Sequence, residues 1–303
     1  MSAPPPPAGL PRPSRRTAAL VLSLLCLLWG STWVVIKFGL RDLPPFTSAA
    51  VRFAVAGAVM AAVTPLLRAR EGGDAPPRWL WIVLGSLNFA LSYGIVYRTE
   101  TYLPSGLTAV LWGVYPLMMA GIGHVYLPGE RLRAVQVWGF LLGFAGLALL
   151  YAVDVGEFGA GALGAALVLL ASPFVSALGT ALIKRHGAGT SSLVLNRNAM
   201  LLGALLLALA ARALEGDVEV TWTPRAIASV LYLAVFGTVV TFGLYFWLLR
   251  TIDANRMGLI AYVTPAVALF LGTTLGGEAI TTSMVAGAAL VLLGVVFVVR
   301  GKR

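Results

Sequence analysis

Side chains that could carry chemistry are few in this chain, and three cationic ones fall within or beside long apolar stretches. Arg52 and Arg197 each lie about six residues inside such a stretch, and Lys37 lies at the end of another. A long cationic side chain at that depth could reach a membrane interface or a loop carboxylate, or it could bind the carboxylate of a ligand. Both interpretations stay open for the two arginines, and we interpret Lys37 as an interfacial anchor.

Groups that catalyse hydrolysis or hold a metal do not occur in the spacing that either chemistry needs. The two histidines, His124 and His186, lie near segment ends, and neither Gly-x-Ser-x-Gly nor His-Glu-x-x-His is present. Gly159 to Gly164 spell G-x-G-x-x-G, but no strand precedes them and no acidic residue follows at the distance that a dinucleotide site requires. The sequence therefore predicts no catalytic residue, no metal site, no cofactor and no enzyme.

Aromatic and small polar side chains form a second set of candidates. Thr108, Trp112 and Tyr115 recur at i, i+4 and i+7 and so share one face of a helix. Trp112 and Tyr115 lie in mid-segment, where interfacial anchoring does not account for them, so they line a cavity or pack in the interior. Aromatic walls with a few hydroxyls and amides suit a small zwitterion with an apolar side chain. The residues that could line such a site are Trp29, Trp33, Asn88, Ser92, Tyr93, Tyr97, Thr108, Trp112, Tyr115, Ser176, Thr241, Tyr245, Ala261 and Thr264.

The composition indicates that these residues are carried by membrane-spanning helices. Hydrophobic residues make up 59% of the 303 residues and charged residues 11%, whereas a soluble domain is about a quarter charged. The basic residues behind the net charge of +10 are scattered at segment ends, so we expect no nucleic-acid partner. The sequence predicts an all-α polytopic membrane protein with ten spans, at 17–37, 46–67, 79–98, 105–126, 133–152, 161–183, 191–212, 225–249, 255–275 and 281–299.

An internal repeat organises these spans. Spans 4 and 9 each carry a proline in mid-segment, Pro116 and Pro265, and each ends in a Gly-Glu turn. The glycine pair Gly139 and Gly146 follows the first turn at the same distances as Gly287 and Gly294 follow the second. Such self-similarity predicts two five-span repeats, at 17–152 and 161–300. We expect 1–16 to be a disordered cytoplasmic tail and 153–160 to be the connecting loop, with the two prolines as hinges.

Basic residues give the orientation. With the N-terminus inside, fifteen Lys and Arg residues fall on the cytoplasmic side and five on the outer side, namely Lys37, Arg41, Arg98, Arg212 and Arg225. Both termini are therefore predicted to be cytoplasmic. Because five spans is an odd number, the second repeat must be inverted relative to the first. Inverted repeats around a central cavity are typical of transporters, whose substrate site lies near the midplane.

The sequence resembles a known transporter family. The WGSTWVVIK ending of span 1, together with a mid-helix proline and a Gly-Glu turn in both halves, resembles the drug/metabolite transporter superfamily in its ten-span EamA branch. The resemblance covers residues 17–300. It implies that spans 1, 3, 4, 6, 8 and 9 surround a cavity, with spans 5 and 10 behind. It also implies export of amino acids and related metabolites, as in the aromatic amino-acid exporters; nucleotide-sugar carriers are more distant relatives.

Residues and resemblance together predict a monomeric carrier in the inner (plasma) membrane, in contact with membrane lipid. We expect it to export small metabolites, above all neutral or aromatic amino acids, by alternating access. A carrier of phosphorylated metabolites or nucleotide sugars, and a non-transporting receptor or scaffold, remain alternatives. Every Asp and Glu falls in a loop or at a helix end, whereas proton-driven carriers usually hold an acidic residue or a histidine at depth. The sequence therefore indicates a facilitator, or a carrier whose coupling is not visible in the sequence.

Overall fold

The computed structural model describes residues 14–128, 131–157, 160–216, 218–251, 257, 259–279 and 281–300. Within these ranges the chain forms ten helical elements, α1 to α10, and no β-strand. The uninterrupted ones are α1 Arg15–Gly39, α2 Pro45–Glu71, α5 Ala134–Glu157, α7 Ser192–Leu214, α9 Leu259–Thr274 and α10 Thr282–Arg300. Composite elements are α3 (Arg78–Val83, Leu84–Ser92, Tyr93–Glu100), α4 (Ser105–Trp112, Tyr115–Tyr126), α6 (Ala160–Leu169, Ala171–His186) and α8 (Pro224–Ala234, Val235–Val240, Thr241–Thr251).

These helices are those of a multi-pass membrane protein. Seven of them are long and apolar enough to cross a bilayer, and shorter apolar helices occur at Ala134–Leu150, Val263–Thr274 and Thr282–Val298. Large apolar side chains such as Leu20, Val125 and Leu66 are exposed by 71%, 87% and 74%, which no water-soluble monomer of this kind tolerates over its whole surface. The prediction of an all-α polytopic membrane protein is confirmed.

Two predicted boundaries are wrong. The first helix begins at Arg15, with the Ser14 hydroxyl accepting a hydrogen bond from the backbone N–H of Thr17, so residues 15 and 16 belong to the helix and not to a tail. Residues 1–13 lie outside the described part. The predicted connecting loop at 153–160 is also too long, because α5 continues to Glu157 and α6 begins at Ala160. No strong helix breaker occurs before Gly156, so nothing in the sequence ends the helix at 152.

Besides α6, which is broken at Leu170, three elements depart from a regular α-helix near their middle. α3 contains a π-helical segment, Leu84–Ser92, and α8 contains one at Val235–Val240. α4 is interrupted between Trp112 and Tyr115, because Pro116 at the start of its second segment has no N–H to continue the ladder. The predicted face from Thr108 to Tyr115 is therefore not one continuous helical face. α9, in contrast, passes through Pro265 without interruption in its described residues.

α5 and α10 form an antiparallel seam at the predicted back of the molecule. A Cβ atom added at Gly139 would lie 2.6 Å from the carbonyl oxygen of Gly294, and one at Gly146 would lie 2.7 Å from that of Gly287. These glycines therefore let the two helices approach closely. Each repeat's first glycine faces the other repeat's second glycine, which is the self-complementary pairing that a two-fold relation produces.

Two carboxylates form a reciprocal pair of helix caps between the halves. Glu71, at the end of α2, accepts hydrogen bonds from the Ser191 hydroxyl (2.6 Å), the hydroxyl and backbone N–H of Ser192, and the backbone N–H of Leu193, at the start of α7. Glu215, just after α7, accepts them from the N–H groups of Phe46 and Thr47 at 2.5 and 2.9 Å, at the start of α2. A carboxylate at a helix N-terminus accepts hydrogen bonds from the free N–H groups of the helix and interacts favourably with the helix dipole.

Candidate functional site

Three of the predicted aromatic residues meet at the interruption of α4. The rings of Trp112 and Tyr115 are stacked, with centroids 5.1 Å apart and planes inclined by 4°. Trp33 of α1 lies against Trp112 at 6.1 Å. All three rings are only partly buried, unlike most of the surrounding core. We call Trp33, Trp112 and Tyr115 the aromatic cluster.

Hydroxyl groups of α6 hold this cluster from one side. Ser172, Ser176 and Thr180 recur at i, i+4 and i+8, so they form a polar row on one face, here called the α6 hydroxyl row. The indole Nε1 of Trp112 donates to Ser172 Oγ at 3.0 Å, and the phenol of Tyr115 donates to Thr180 Oγ1 at 3.0 Å. At the interruption of α4, the polar atoms of both rings are therefore already hydrogen-bonded to α6.

α3 completes the same arrangement through its π-helical segment. Asn88 donates through Nδ2 to the carbonyl and hydroxyl oxygens of Ser176, at 3.0 and 3.1 Å, while its Oδ1 has no partner among the described residues. Ser92 and Ser172 share a hydrogen bond of 2.8 Å between their hydroxyls. A π-bulge often marks a functional site, because it turns side chains away from the regular helical register. The structure thus brings Trp33, Asn88, Ser92, Trp112, Tyr115 and Ser176 together.

Two of the other predicted residues, Trp29 and Tyr245, contact each other instead. Trp29 packs with Tyr245 and Phe242, at ring distances of 5.5 and 6.2 Å, and forms a second aromatic group between α1 and α8. Thr241 has no exposed surface, and its hydroxyl donates to the carbonyl of Thr238. Of the predicted lining, Thr108, Thr241, Tyr97 and Ser92 are 0–2% exposed, so a ligand reaches them only in another conformation.

α9 contributes less than the repeat predicts. The Oγ1 of Thr264 is buried without a hydrogen-bond partner in the described part of the chain. Ala261 is partly buried against the main core. Pro265 approaches Gly113 of the α4 interruption, since a Cβ there would lie 3.4 Å from the proline Cγ. α9 therefore meets α4 at the interruption, close to the aromatic cluster.

Arg52 is enclosed rather than extended toward an interface. It is 1% exposed, and its guanidinium donates to Tyr97 Oη at 3.2 Å, to Thr238 Oγ1 at 3.2 Å and to the carbonyl of Gly237. Its central carbon lies 4.9 Å from the ring centroid of Tyr93. The interpretation that Arg52 reaches the membrane interface or a loop carboxylate is wrong. In this conformation it ties α2, α3 and α8 together.

The other cationic candidates are also engaged. Lys37 donates from Nζ to the carbonyl oxygens of Glu100 and Leu103, at 2.6 and 2.8 Å. Arg197 donates to the side chain of its neighbour Asn198, and the exposed Arg98 donates to Tyr102. Lys37 therefore fixes the turn between α3 and α4, a more specific role than interfacial anchoring.

Sequence reasoning missed two features. Ser172 and Thr180 of the α6 hydroxyl row were not predicted, although their spacing with Ser176 was readable in the sequence. Glu100 lies at a helix end, as the sequence predicts for every Asp and Glu, but its complete burial was not predicted. No local signal distinguishes Glu100 from an exposed residue at a helix end, because its burial comes from neighbouring helices.

The chain resembles proteins described as transporters. It is 27% identical over 287 residues to YvbV of Bacillus subtilis, an uncharacterized transporter, covering 94% of this chain and 92% of that protein. It is 29% identical over 285 residues to YedA of Escherichia coli K12, an uncharacterized inner membrane transporter, covering 93% and 90%. A protein of known crystal structure shares the fold, with a TM-score of 0.66 and 22% identity over 94% of this chain and 96% of that one.

The family itself follows from a match in each half. The model of the EamA-like transporter family matches residues 16–152 and again residues 163–300. These two segments include every residue of the aromatic cluster and of the α6 hydroxyl row, and Asn88. The chain belongs to the EamA-like transporter family.

Proposed function

We propose that this protein exports neutral or aromatic amino acids by alternating access between two inverted five-span halves. The observation that carries the substrate class is the stacked pair of Trp112 and Tyr115 beside Trp33. An aromatic side chain stacks favourably on such rings, and hydroxyls and an amide next to them can bind an ammonium or a carboxylate group. The α6 hydroxyl row and Asn88 supply those polar groups.

The basic residues already donate hydrogen bonds within the protein, which weighs against a phosphorylated substrate. Binding a phosphate usually requires several cationic donors that converge on one point. Four basic side chains, Arg52, Lys37, Arg98 and Arg197, lie within or at the ends of the helices, and each already donates to a protein acceptor. None of these donors belongs to the aromatic cluster, so a zwitterion fits the site better than a nucleotide sugar does.

We place the carrier in the inner membrane with ten spans, both termini in the cytoplasm, and a monomer as the working unit. The name of the relative YedA, an inner membrane transporter, supports the location, and the distribution of Lys and Arg supports the orientation. The hinges would be Pro116, which follows the interruption of α4, and Pro265. A C-terminal alkaline phosphatase fusion should be inactive; activity in the periplasm would contradict this topology.

Efflux from loaded proteoliposomes tests the function. Vesicles with the purified protein and with radiolabelled phenylalanine, alanine or a nucleotide sugar should release phenylalanine fastest and the nucleotide sugar no faster than protein-free vesicles. Release of the nucleotide sugar alone would favour the phosphorylated-substrate alternative. Release of no solute from the panel, with correctly folded protein, would favour a receptor or scaffold.

A further inference from the structure

The starting observation is a carboxylate with no partner. Glu100, the last residue of α3, is 0% exposed, and neither of its carboxylate oxygens has a hydrogen-bond partner among the described residues. Buried polar groups are almost always hydrogen-bonded, and those that are not call for an explanation. An ionised carboxylate in that position is strongly disfavoured, whereas the protonated acid is far less so.

The cations near Glu100 do not neutralise it by direct contact. Lys37 directs two of its hydrogens to backbone carbonyls, one of which belongs to Glu100 itself. Arg52 uses its guanidinium for Tyr97, Thr238 and a backbone carbonyl. No ion pair between Glu100 and either cation is found within the described residues.

The other groups that face Glu100 are few. Glu278, from the turn after α9, is a second carboxylate, and it is already occupied by the backbone N–H groups of Ser105 and Gly106 at 2.6 and 3.0 Å. Tyr97 on α3 has its hydroxyl bonded to Arg52. The first segments of α4 and α6 bring no ionisable residue, and the charged residues of α6 lie at its other end.

The contacts that enclose Glu100 also close the predicted outer side. Glu278 joins the second half to the start of α4, and Lys37 fixes the α3–α4 turn beside it. Asp42, after α1, is bonded to Arg225 at the start of α8 at 2.5 Å. Opening this side for release of a substrate would separate these contacts and admit water to Glu100.

We propose that Glu100 is a proton-binding site that controls the outer gate. With the gate open, a proton from external water adds to one carboxylate oxygen and gives the neutral acid, which can be buried as the gate closes. When the gate opens again, the proton returns to the same water, so no net proton crosses the membrane. External acidity therefore favours the closed gate, and a pH gradient does not drive transport. This proposal deepens the carrier function proposed above and rests on it.

Cysteine labelling tests the gate without any substrate. In a Cys26→Ser background, Leu103→Cys places a thiol at a position that is 0% exposed on the outer side, and Tyr102→Cys places one at a neighbour that is 47% exposed. The labelling rate of Leu103→Cys by an impermeant reagent, divided by that of Tyr102→Cys, corrects for the pH dependence of thiol reactivity. The ratio should rise with external pH, by up to about tenfold per pH unit for one linked proton. It should be independent of pH in Glu100→Gln, and Glu219→Gln, an exposed carboxylate on the same side, should behave as the unmodified chain does.

Infrared spectroscopy tests the proton itself, and its main readout comes from the unmodified protein. The closed, unmodified protein at neutral pH should show the C=O band of a buried protonated carboxyl group, and Glu100→Gln should lack it. A flat labelling ratio in the unmodified chain, a pH-dependent ratio in Glu100→Gln, or absence of the band would overturn the proposal. Uphill accumulation of phenylalanine driven by a pH gradient would overturn the gating role in favour of proton coupling. Failure of phenylalanine transport with the expected labelling pattern would refute only the substrate assignment.

Discussion

Replacing either reciprocal cap by its neutral amide should destabilise the protein to a similar extent. Glu71→Gln and Glu215→Gln each keep the side-chain shape but remove the charge from an arrangement with several donors. Hydrogen bonds to charged groups contribute about 1.5–3 kcal/mol each, and an anion at a helix N-terminus adds about 0.3–1 kcal/mol. An amide retains part of these contacts, so we expect a loss of about 2–4 kcal/mol per substitution. At about 2 °C per kcal/mol, each Tm should fall by about 4–8 °C.

Thermal unfolding in detergent, followed by circular dichroism, measures this effect. Glu219→Gln is the matched control, because Glu219 is exposed on the loop that follows Glu215. The double substitution should be additive within about 0.5 kcal/mol, since the two caps lie at opposite ends of α2 and α7. A fall in Tm for one variant only, or a strong non-additivity, would contradict the conclusion that two equivalent and independent caps join the halves.

Two further predictions concern the α5–α10 seam and the contact between Asp42 and Arg225. Gly146→Ala should lower the free energy of unfolding by about 1–3 kcal/mol, because its Cβ would meet the backbone of Gly287. Gly164→Ala should be neutral, since a Cβ at that position has no other atom within 4 Å. Equal Tm values for the two variants would refute the close packing of the seam. Hydrogen bonds from Arg225 lower the pKa of Asp42 from 3.8 to about 2. Because the folded pKa is depressed, the stability lost in Asp42→Asn should be constant above the unfolded pKa of about 3.9 and should vanish as pH falls through about 2. Unfolding titrations at several pH values measure this loss. A loss that changes between neutral pH and about pH 5 would contradict the assignment to Asp42.

Local pattern and composition account for most of the fold. Apolar runs of about 20 residues between charged turns can satisfy their backbone hydrogen bonds only as helices in a bilayer, so the helices were predictable with small errors at their ends. The glycine seam was also predictable, because small residues at matching spacing permit close approach of helices. The two π-helical segments were not predictable from the sequence. Nor was the interruption of α4 at Pro116, since Pro265 leaves α9 continuous in a similar sequence.

The candidate site was predictable in part, from the position of single residues and not from a periodic pattern. Mid-span Trp112 and Tyr115 stood out because an aromatic ring away from the interface needs a local explanation. Which side chains surround them depends on how α3, α4 and α6 pack, and that is information about distant parts of the chain. The burial of Glu100 and the enclosure of Arg52 are of the same kind. A sequence shows that a charge lies near a helix end, but not which neighbouring helices cover it.

The central claim is that the aromatic cluster binds the substrate, and counterflow of labelled phenylalanine across proteoliposomes tests it most directly. Trp112→Ala removes a large side chain from the site, a loss of about 1–3 kcal/mol, and KM should rise about 5- to 150-fold. Trp112→Phe keeps a ring but loses the hydrogen bond to Ser172, about 0.5–1.5 kcal/mol, and KM should rise about 2- to 12-fold. Phe144→Ala, a lipid-facing aromatic residue, is the control and should leave KM unchanged. The claim predicts this graded order at equal amounts of folded protein; wild-type KM values in both Trp112 variants would contradict it.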